Sequence, residues 1–189
     1  WDEGAPDWDQ RLKRFITAMV EQIDSLSSIA TEFSDFAKMP LPVNERLELN
    51  EVIHTALSLY KDVAPVKFSF LTDHAERFAF CDRKQLLRVL NNLLNNAIQA
   101  IGQDRDGEIL ISLSTADEAH EIRITDNGPG IPPDQSDKIF HPNFTTKSGG
   151  TGLGLAIVKE IITAQGGRIS FTSEPDSGTT FILILPGIS

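Results

Sequence analysis

The sequence predicts an α/β protein in which one long helix precedes a mixed sheet that is covered by helices on one face. Three features predict it: a heptad pattern over residues 12–37, apolar helical segments that alternate with short strands after residue 47, and a loop rich in glycine and proline at 127–151. After the long helix the elements follow the order α, β, β, α, β, β, loop, α, β, β. Such an order suits helices layered on a sheet.

The N-terminal pattern is that of a helix which packs against another helix. Apolar residues recur at alternating steps of four and three: Leu12, Ile16, Met19, Ile23, Leu26, Ala30, Phe33 and Ala37. Prolines at positions 6, 40 and 42 flank the pattern, and proline does not continue a helix interior. We therefore expect a helical segment at 1–40, a linker at 41–46 and a globular domain at 47–189. The alternative is that this helix packs on the globular domain.

Periodicity and turn signals predict three helices and six strands in the globular domain. The second helix has the clearest start, because Asp82 followed by Gln85 resembles a capping box. The third is closed by Gly166 and Gly167. The predicted helices are 49–60, 82–101 and 152–164, and the predicted strands are 66–71, 77–81, 109–113, 122–124, 168–173 and 179–185.

Composition and charge exclude several classes of protein. The chain has 189 residues, 40% of them hydrophobic, which is enough to bury a core and excludes a disordered or collagen-like chain. Its 17 Lys and Arg against 27 Asp and Glu give a formal charge of −10. An acidic surface repels polyanions, so we expect no nucleic-acid partner.

The single cysteine and the hydropathy pattern predict the compartment. Cys81 stands alone, so neither an internal disulfide nor a multi-cysteine zinc site is expected. No apolar run reaches the roughly 18 to 20 residues that span a bilayer. We expect a cytoplasmic location and no membrane contact by this chain. Since it starts at Trp1 without Met, we also expect a longer parent protein, which an upstream segment could anchor in a membrane.

The first motif with chemistry lies inside the second predicted helix. Asn92 and Asn96 are four residues apart and so share one helix face. Asparagine is unfavourable in a helix interior, so the presence of these residues there suggests a functional role. An amide oxygen is a neutral, hard ligand of the kind Mg²⁺ accepts beside waters and phosphates. The alternative is a polar face that only meets solvent.

The second motif, Asp126-Asn127-Gly128-Pro129-Gly130, follows an alternating strand. A carboxylate at a strand end can accept a hydrogen bond from an exocyclic amine, and the glycines permit a turn and a close approach of the backbone to a planar ring. A plain β-turn is the alternative.

The third motif is a glycine-rich run that leads into the third helix. It contains Gly150, Gly152, Leu153 and Gly154. Glycines before a helix N-terminus leave backbone N–H groups directed at an anion, as in a phosphate cradle. The run matches neither a Walker motif nor a dinucleotide fingerprint.

Between the second and third motifs lies a long loop, residues 131–151, which we call the lid. It carries Phe140, Phe144 and Lys147, and a loop of this length is uncommon unless it covers a binding site. Lys147 would meet a phosphate as a point charge. We expect the lid to be the most mobile part of the globular domain until a ligand orders it.

The ordered motifs resemble those of bacterial sensor histidine kinases. Residues 92–97, 126–130, 139–147 and 150–155 look like the N, G1, F and G2 boxes of that family, and the resemblance covers residues 47–186. The tract 139–159 is most similar to the nitrogen-regulation type. The implied fold is the two-layer α/β sandwich shared by the ATP-binding domains of histidine kinases, gyrase, MutL and heat-shock chaperones.

The resemblance implies ATP and Mg²⁺ as cofactors and a role for each motif residue. Asn96 would be the metal ligand, and Asn92 a contact to phosphate or to metal-bound water. Asp126 would bind the adenine amino group in a pocket shaped by Gly128 and Gly130. Phosphate contacts are implied for Lys147 and for the run Gly150, Gly152, Leu153 and Gly154. Thr180 would sit near the adenine, and Phe140 and Phe144 would pack under the lid.

The heptad helix resembles the second helix of the kinase dimerisation hairpin, which implies self-association through residues 10–38 and a response regulator as partner. The chain departs from the family in one respect. A kinase needs a histidine followed by an acidic residue and a nearby Asn-Pro on the first hairpin helix, and none of His54, His74, His120 and His141 has that setting. The γ-phosphoryl group of ATP would therefore pass to a histidine on a helix that this chain lacks.

Two other functions stay open at this stage. Hydrolysing relatives such as gyrase and MutL resemble this chain but carry a water-activating Glu at the position of Asn92, and an amide cannot accept a proton at neutral pH. ATP hydrolysis is therefore the runner-up. A non-enzymatic dimerisation module is the third interpretation, which the affinity for ATP would test.

Overall fold

The computed structural model describes residues 7–37, 41–60, 66–73, 75–102, 105–116, 118–145 and 150–188. Its helices are α1 (Trp8–Ala37), α2 (Leu49–Ser58), α3 (Arg83–Ile101) and α4 (Gly154–Ala164), with a 3-10 turn at Pro133–Gln135. Its strands are β1 (Glu45–Glu48), β2 (Val66–Leu71), β3 (Phe78–Cys81), β4 (Gly107–Ala116), β5 (Ala119–Asp126), β6 (Arg168–Glu174) and β7 (Gly178–Ile188).

The predicted N-terminal helix is present as α1, and its apolar stripe faces outward. Ile16, Met19, Ile23, Leu26 and Phe33 are 49–63% exposed. Such a row of exposed apolar side chains on one helix is a surface that another helix could cover.

No helix in the described ranges combines the length and the apolar character needed to cross a bilayer.

The strands form one mixed sheet in the order β1-β3-β7-β5-β4-β2, with β6 paired to β7. Strand β2 runs parallel to β4, and the other pairs are antiparallel. Alternate residues point to one face, where α2, α3 and α4 cover them. Ile122 and Ile124 of β5 meet Leu93 and Leu94 of α3 in a single buried core. The predicted mixed α/β fold is confirmed.

Strand β1 was not predicted, and it begins inside the predicted linker at 41–46. Its sequence, Glu-Arg-Leu-Glu, has one buried side chain, Leu47, so it carries no readable alternation. Pairing with β3 makes it a strand, with Leu47 opposite Ala79. Tertiary contact rather than propensity therefore decides this element.

Helix α3 begins where its capping residue predicts. Asp82 accepts a hydrogen bond from the Gln85 backbone at 3.0 Å, and its other oxygen accepts one from the Val43 backbone at 2.8 Å. Burial alone would raise the pKa of Asp82, but hydrogen bonds from Gln85, Val43 and Lys84 leave that pKa lowered. One carboxylate therefore fixes both the start of α3 and the segment before β1.

Candidate functional site

Helix α3 presents Asn92 toward the start of α4. The Asn92 amide nitrogen donates to the Arg88 carbonyl at 3.1 Å, which directs its oxygen to the other side. A Cβ added to Gly154 would lie 3.1 Å from that oxygen. The structure thus brings together Asn92 and Gly154, which the sequence separates by 62 positions. Asn96 is half-buried one turn further along α3.

A cleft of about 500 Å³ runs along α3 beside Asn92. Sequence analysis did not single out Lys84 or Arg88, although both precede Asn92 at steps of four and lie on the same helix face. They place two positive charges at the cleft of an acidic protein. The lining residues are Lys84, Leu87, Arg88, Asn91, Asn92, Asn95 and Ile157.

Helix α4 borders this cleft through Ile157. No side chain of the described residues caps its N-terminus. Leu153, at the cap position, is 3% exposed and packs in the core. Its backbone N–H donates to the Thr151 hydroxyl at 3.2 Å, and the first bond inside the helix is Ile157 to the Leu153 carbonyl, at 2.9 Å. The N–H groups between these two have no acceptor within the helix, which is the arrangement that binds anions.

Glycine is required at position 152 by backbone geometry. Its φ is +67°, and an added Cβ would lie 2.6 Å from the Asn143 carbonyl carbon and 2.7 Å from the Phe144 nitrogen. The turn before α4 therefore lies directly against the described end of the lid. Gly150 is described just before it, whereas Lys147 lies outside the described residues.

The lid is held mainly by apolar packing. The Phe140 ring meets Phe171 of β6 at 6.0 Å between centroids, and Phe171 meets Phe181 of β7 at 6.1 Å. The Lys159 ammonium lies 5.9 Å from the Phe140 ring. Phe144 also packs against the core. The two lid phenylalanines are packing residues, as the family resemblance implies.

Asp126 ends β5 and is only 4% exposed. One of its oxygens accepts from the Gly128 backbone at 2.8 Å, and a Cβ at Gly128 would crowd that oxygen at 2.7 Å. Gly130 has a φ of +75°, and its Cβ would come within 2.2 Å of the Glu174 carbonyl oxygen. The turn is therefore built for glycine, because the β6–β7 hairpin sits directly against it.

Asn127 holds this turn to the start of β4, a role that sequence analysis missed. Its amide oxygen accepts from the Glu108 backbone and its amide nitrogen donates to the Asp106 carbonyl, both at 2.9 Å. Its backbone nitrogen donates to the Glu108 carbonyl at 3.2 Å, and its carbonyl accepts from Arg105 at 2.9 Å. No local sequence signal identifies these partners, which lie about 20 positions earlier.

The pairing of β5 with β7 brings Thr179, not Thr180, to the face that Asp126 occupies. Asp126 stands opposite Thr179, which is 6% exposed, and directly opposed residues share a face. Thr180 stands opposite Thr125 on the other face, where their hydroxyls meet at 2.9 Å. Along β7 the buried residues Phe181, Leu183 and Leu185 alternate with less buried ones. The same alternation can be read in the sequence, and it would have placed Thr179 rather than Thr180 on the buried face.

Carboxylate, imidazole and thiol groups do not gather here into a metal site. Among the described residues, no group of three or more His, Cys, Asp or Glu side chains is placed to hold a metal ion. Cys81 is buried in β3, and burial raises the pKa of its thiol to about 11, with the charges of Asp82 and Glu45 adding to the shift.

Comparison with known proteins identifies the family. Residues 81–188 match the family described as histidine kinase-, DNA gyrase B- and HSP90-like ATPase. The chain is 37% identical over 171 residues to sensor histidine kinase ZraS of Escherichia coli (strain K12), covering 89% of this chain and 36% of ZraS. It is 38% identical over 200 residues to sensory histidine kinase/phosphatase NtrB of Rhizobium meliloti (strain 1021), covering 95% and 50%. The chain thus spans about a third to a half of these relatives.

Solved structures agree with the sequence relatives. The nucleotide-free catalytic domain of histidine kinase ThkA superimposes with a TM-score of 0.69 at 35% identity, over 76% of this chain and 95% of that one. ThkA in complex with response regulator protein TrrA gives a TM-score of 0.79 at 29% identity, over 97% and 53%. The predicted family and two-layer fold are confirmed: this chain belongs to the histidine kinase-, DNA gyrase B- and HSP90-like ATPase family, as a catalytic domain of the sensor histidine kinase type.

Proposed function

We propose that this chain binds Mg·ATP between the turn at Asp126 and the start of α4, and transfers the γ-phosphoryl group to a histidine on a dimerisation helix outside the chain. The observation that supports the proposal most is that the site has a hydrogen-bond acceptor at one end and backbone N–H donors at the other. A buried acceptor, Asp126, ends β5, and the uncapped N-terminus of α4 lies beside the Asn92 oxygen. ATP carries matching groups at its two ends, an amine donor and a phosphate chain.

At the adenine end, Asp126 accepts from the amino group while Gly128 and Gly130 keep the turn free of side chains. Thr179 replaces Thr180 as the threonine of this pocket, since only Thr179 shares the face of Asp126. At the phosphate end, the backbone of Gly150, Gly152, Leu153 and Gly154 binds oxygens, and Lys147 adds a positive charge.

The amide oxygens of this site fit Mg²⁺. The ion prefers hard oxygen ligands and keeps several waters and phosphate oxygens, so it needs few protein groups. Asn96 would hold it, and Asn92, whose oxygen faces Gly154, would contact phosphate or a metal-bound water. When bound, Mg²⁺ supplies charge neutralisation on the phosphates.

Asn92 also favours transfer over hydrolysis. An amide neither accepts nor donates a proton at neutral pH in the manner of a general base, so it does not activate water. Hydrolysis would need another base at this position, and the side chain nearest to a Cβ added at Gly154 is that of Asn92.

The partners we propose are a second copy of the protein and a response regulator. The exposed apolar stripe of α1 supports self-association through residues 10–38. The match to ThkA bound to TrrA extends over 97% of this chain and therefore includes α1. We propose that the phosphoryl group passes from the acceptor histidine to a response regulator.

Calorimetric titration with ADP, with Mg²⁺ and then with EDTA, tests the site. We expect Mg²⁺ to raise affinity in the unchanged protein, and Asn96→Ala to remove most of that gain. Asn95→Ala is the matched control: Asn95 also lines the cleft, but its amide oxygen accepts from the Tyr60 hydroxyl at 3.2 Å. An equal Mg²⁺ effect in Asn96→Ala and the unchanged protein would exclude Asn96 as the ligand.

A further inference from the structure

Ser173 lies on β6 opposite Thr179 of β7, and its hydroxyl has three polar neighbours. It accepts from the Ile131 backbone N–H at 2.8 Å. It lies 2.9 Å from the Gly178 carbonyl oxygen and 3.0 Å from the Thr179 hydroxyl. The side chain thus joins the first residue of the lid to the strand that faces Asp126.

The direction of each hydrogen bond follows from what the groups can do. A carbonyl oxygen only accepts, so Ser173 gives its one hydroxyl hydrogen to Gly178. The backbone N–H of Ile131 only donates, so it uses a lone pair of Ser173. In the remaining contact Thr179 must therefore be the donor. Having given its only hydrogen to Ser173, Thr179 can act toward a ligand only as an acceptor.

We propose that Ser173 is a positioning residue that sets base selectivity, by holding Thr179 as an acceptor beside the carboxylate of Asp126. This inference rests on the proposed nucleotide site. Two acceptors on one face favour a ligand that presents hydrogens, such as the 6-amino group of adenine or a water that it orients. They disfavour the 6-oxo group of hypoxanthine, which would bring a third acceptor.

Loss of the Ser173 hydroxyl frees the hydrogen of Thr179 to turn toward the ligand, where it can donate to a 6-oxo group. Ser173→Ala should therefore lower the preference for ADP over IDP, two nucleotides that differ only in the group at position 6 of the base and in the proton that the oxo form carries on N1. We define the ratio as the dissociation constant of IDP divided by that of ADP, and we expect it to fall about five- to tenfold. Ser173→Thr keeps a hydroxyl at the same β-carbon and should keep the ratio.

A double-mutant cycle separates this role from a merely structural one. Thr179→Val removes the acceptor and should lower the ratio by itself. Adding Ser173→Ala to Thr179→Val should then change the ratio no further, whereas a general loosening of the hairpin would weaken both nucleotides equally in either background. Ser173→Cys, nearly isosteric but a weak acceptor, provides the same test if the alanine variant does not fold.

The outcomes distinguish the inference from the proposed function. A fall of the ratio in Ser173→Ala that Thr179→Val abolishes supports the inference. Unchanged selectivity in Ser173→Ala and Ser173→Cys, with ADP still bound by the unchanged protein, overturns it and leaves the nucleotide site standing. If the unchanged protein binds neither nucleotide, the proposed function fails first, and the inference fails with it.

Discussion

The two ends of the candidate site are built in opposite ways. At the adenine end, Asn127, Ile131 and Asp176 form hydrogen bonds to partners far away in sequence: Glu108, Ser173 and Pro129 respectively. At the phosphate end, the backbone hydrogen bonds within the described part of the lid join neighbours, such as Lys138 to Gln135 and His141 to Lys138. The adenine end is part of the sheet framework, whereas the phosphate end keeps its helix N–H groups available for a ligand.

The difference follows from what each end has to recognise. A base edge is read by fixed donors and acceptors, so its acceptors gain from being held rigidly in a buried place. A phosphate chain is held by many backbone N–H groups and a metal ion, and such a cradle must open to admit it. We therefore expect the adenine end to resist opening and the phosphate end to change most on binding.

The largest effect should come from the adenine acceptor. Asp126→Asn replaces an acceptor oxygen by a donor that faces the donor of the adenine, at a cost of about 1 to 3 kcal/mol. Affinity for ADP should fall by about 5- to 150-fold. Calorimetry measures it, and Asp134→Asn, the same change at an exposed lid position, is the control. Equal affinities in all three proteins would remove Asp126 from the site.

Glycine substitutions should separate the two ends. At Gly130→Ala the added Cβ would strike the Glu174 carbonyl, so we expect a loss of about 2 kcal/mol or more in the free energy of unfolding. Gly152→Ala strikes the lid backbone instead, so nucleotide affinity should fall more than stability. Denaturant unfolding and calorimetry measure the two quantities.

Gly102→Ala is the control for both variants. It also has a positive φ, +71°, but beyond its chain neighbours no atom of the described residues lies within 4 Å of its added Cβ. It therefore reports the cost of the backbone conformation without a collision. A loss in Gly130→Ala no larger than that in Gly102→Ala would show that the hairpin does not press on the turn.

Hydrogen exchange should show the same contrast in dynamics. Without nucleotide, amides of the lid at 131–145 should exchange faster than those of β5 and β7, since the backbone hydrogen bonds within this segment are local. ADP with Mg²⁺ should slow the lid strongly and the strands little. Lid amides that are slow without nucleotide, and unchanged by it, would contradict this expectation.

The smallest effect should arise at the far edge of the sheet. The hydrogen bond from Arg77 lowers the pKa of Asp73 to about 2, with the Ala75 backbone adding to the shift. Because the folded-state pKa lies below the unfolded value of 3.8, this stabilisation is complete above pH 4 and is lost as the pH falls toward 2. Asp73→Asn should narrow the difference in stability between pH 5 and pH 2.5 without changing nucleotide affinity, which thermal unfolding and titration can measure.

Sequence alone predicts the elements whose signals are local. Asp82 and Gln85 fix the start of α3 to within a residue, and the heptad pattern predicts α1. The start of α4 is predicted two residues early, because the glycine run has no side chain to mark the boundary. Strand β1 has one buried residue and is missed, since its partner β3 lies more than 30 positions later.

The candidate site shows the same limit. The order of the motifs along the chain identifies Asp126, Asn92 and the glycines as candidate residues without any information on tertiary contacts. The roles of Asn127 and Ser173 depend on hydrogen bonds to residues that only folding brings near. The choice of Thr180 comes from the family resemblance, although the alternation of Phe181, Leu183 and Leu185 in the sequence already places Thr179 on the buried face.

Transfer of label to a supplied histidine tests the central claim most directly. The chain is mixed with a polypeptide that carries the upstream hairpin helix and its acceptor histidine, and γ-labelled ATP with Mg²⁺ is added. We predict acid-labile label on the supplied helix, none on this chain, and loss of the label in Asp126→Asn. Label on one of the chain's own histidines, or none on the helix despite confirmed ATP binding and complex formation, would contradict the proposed phosphoryl transfer.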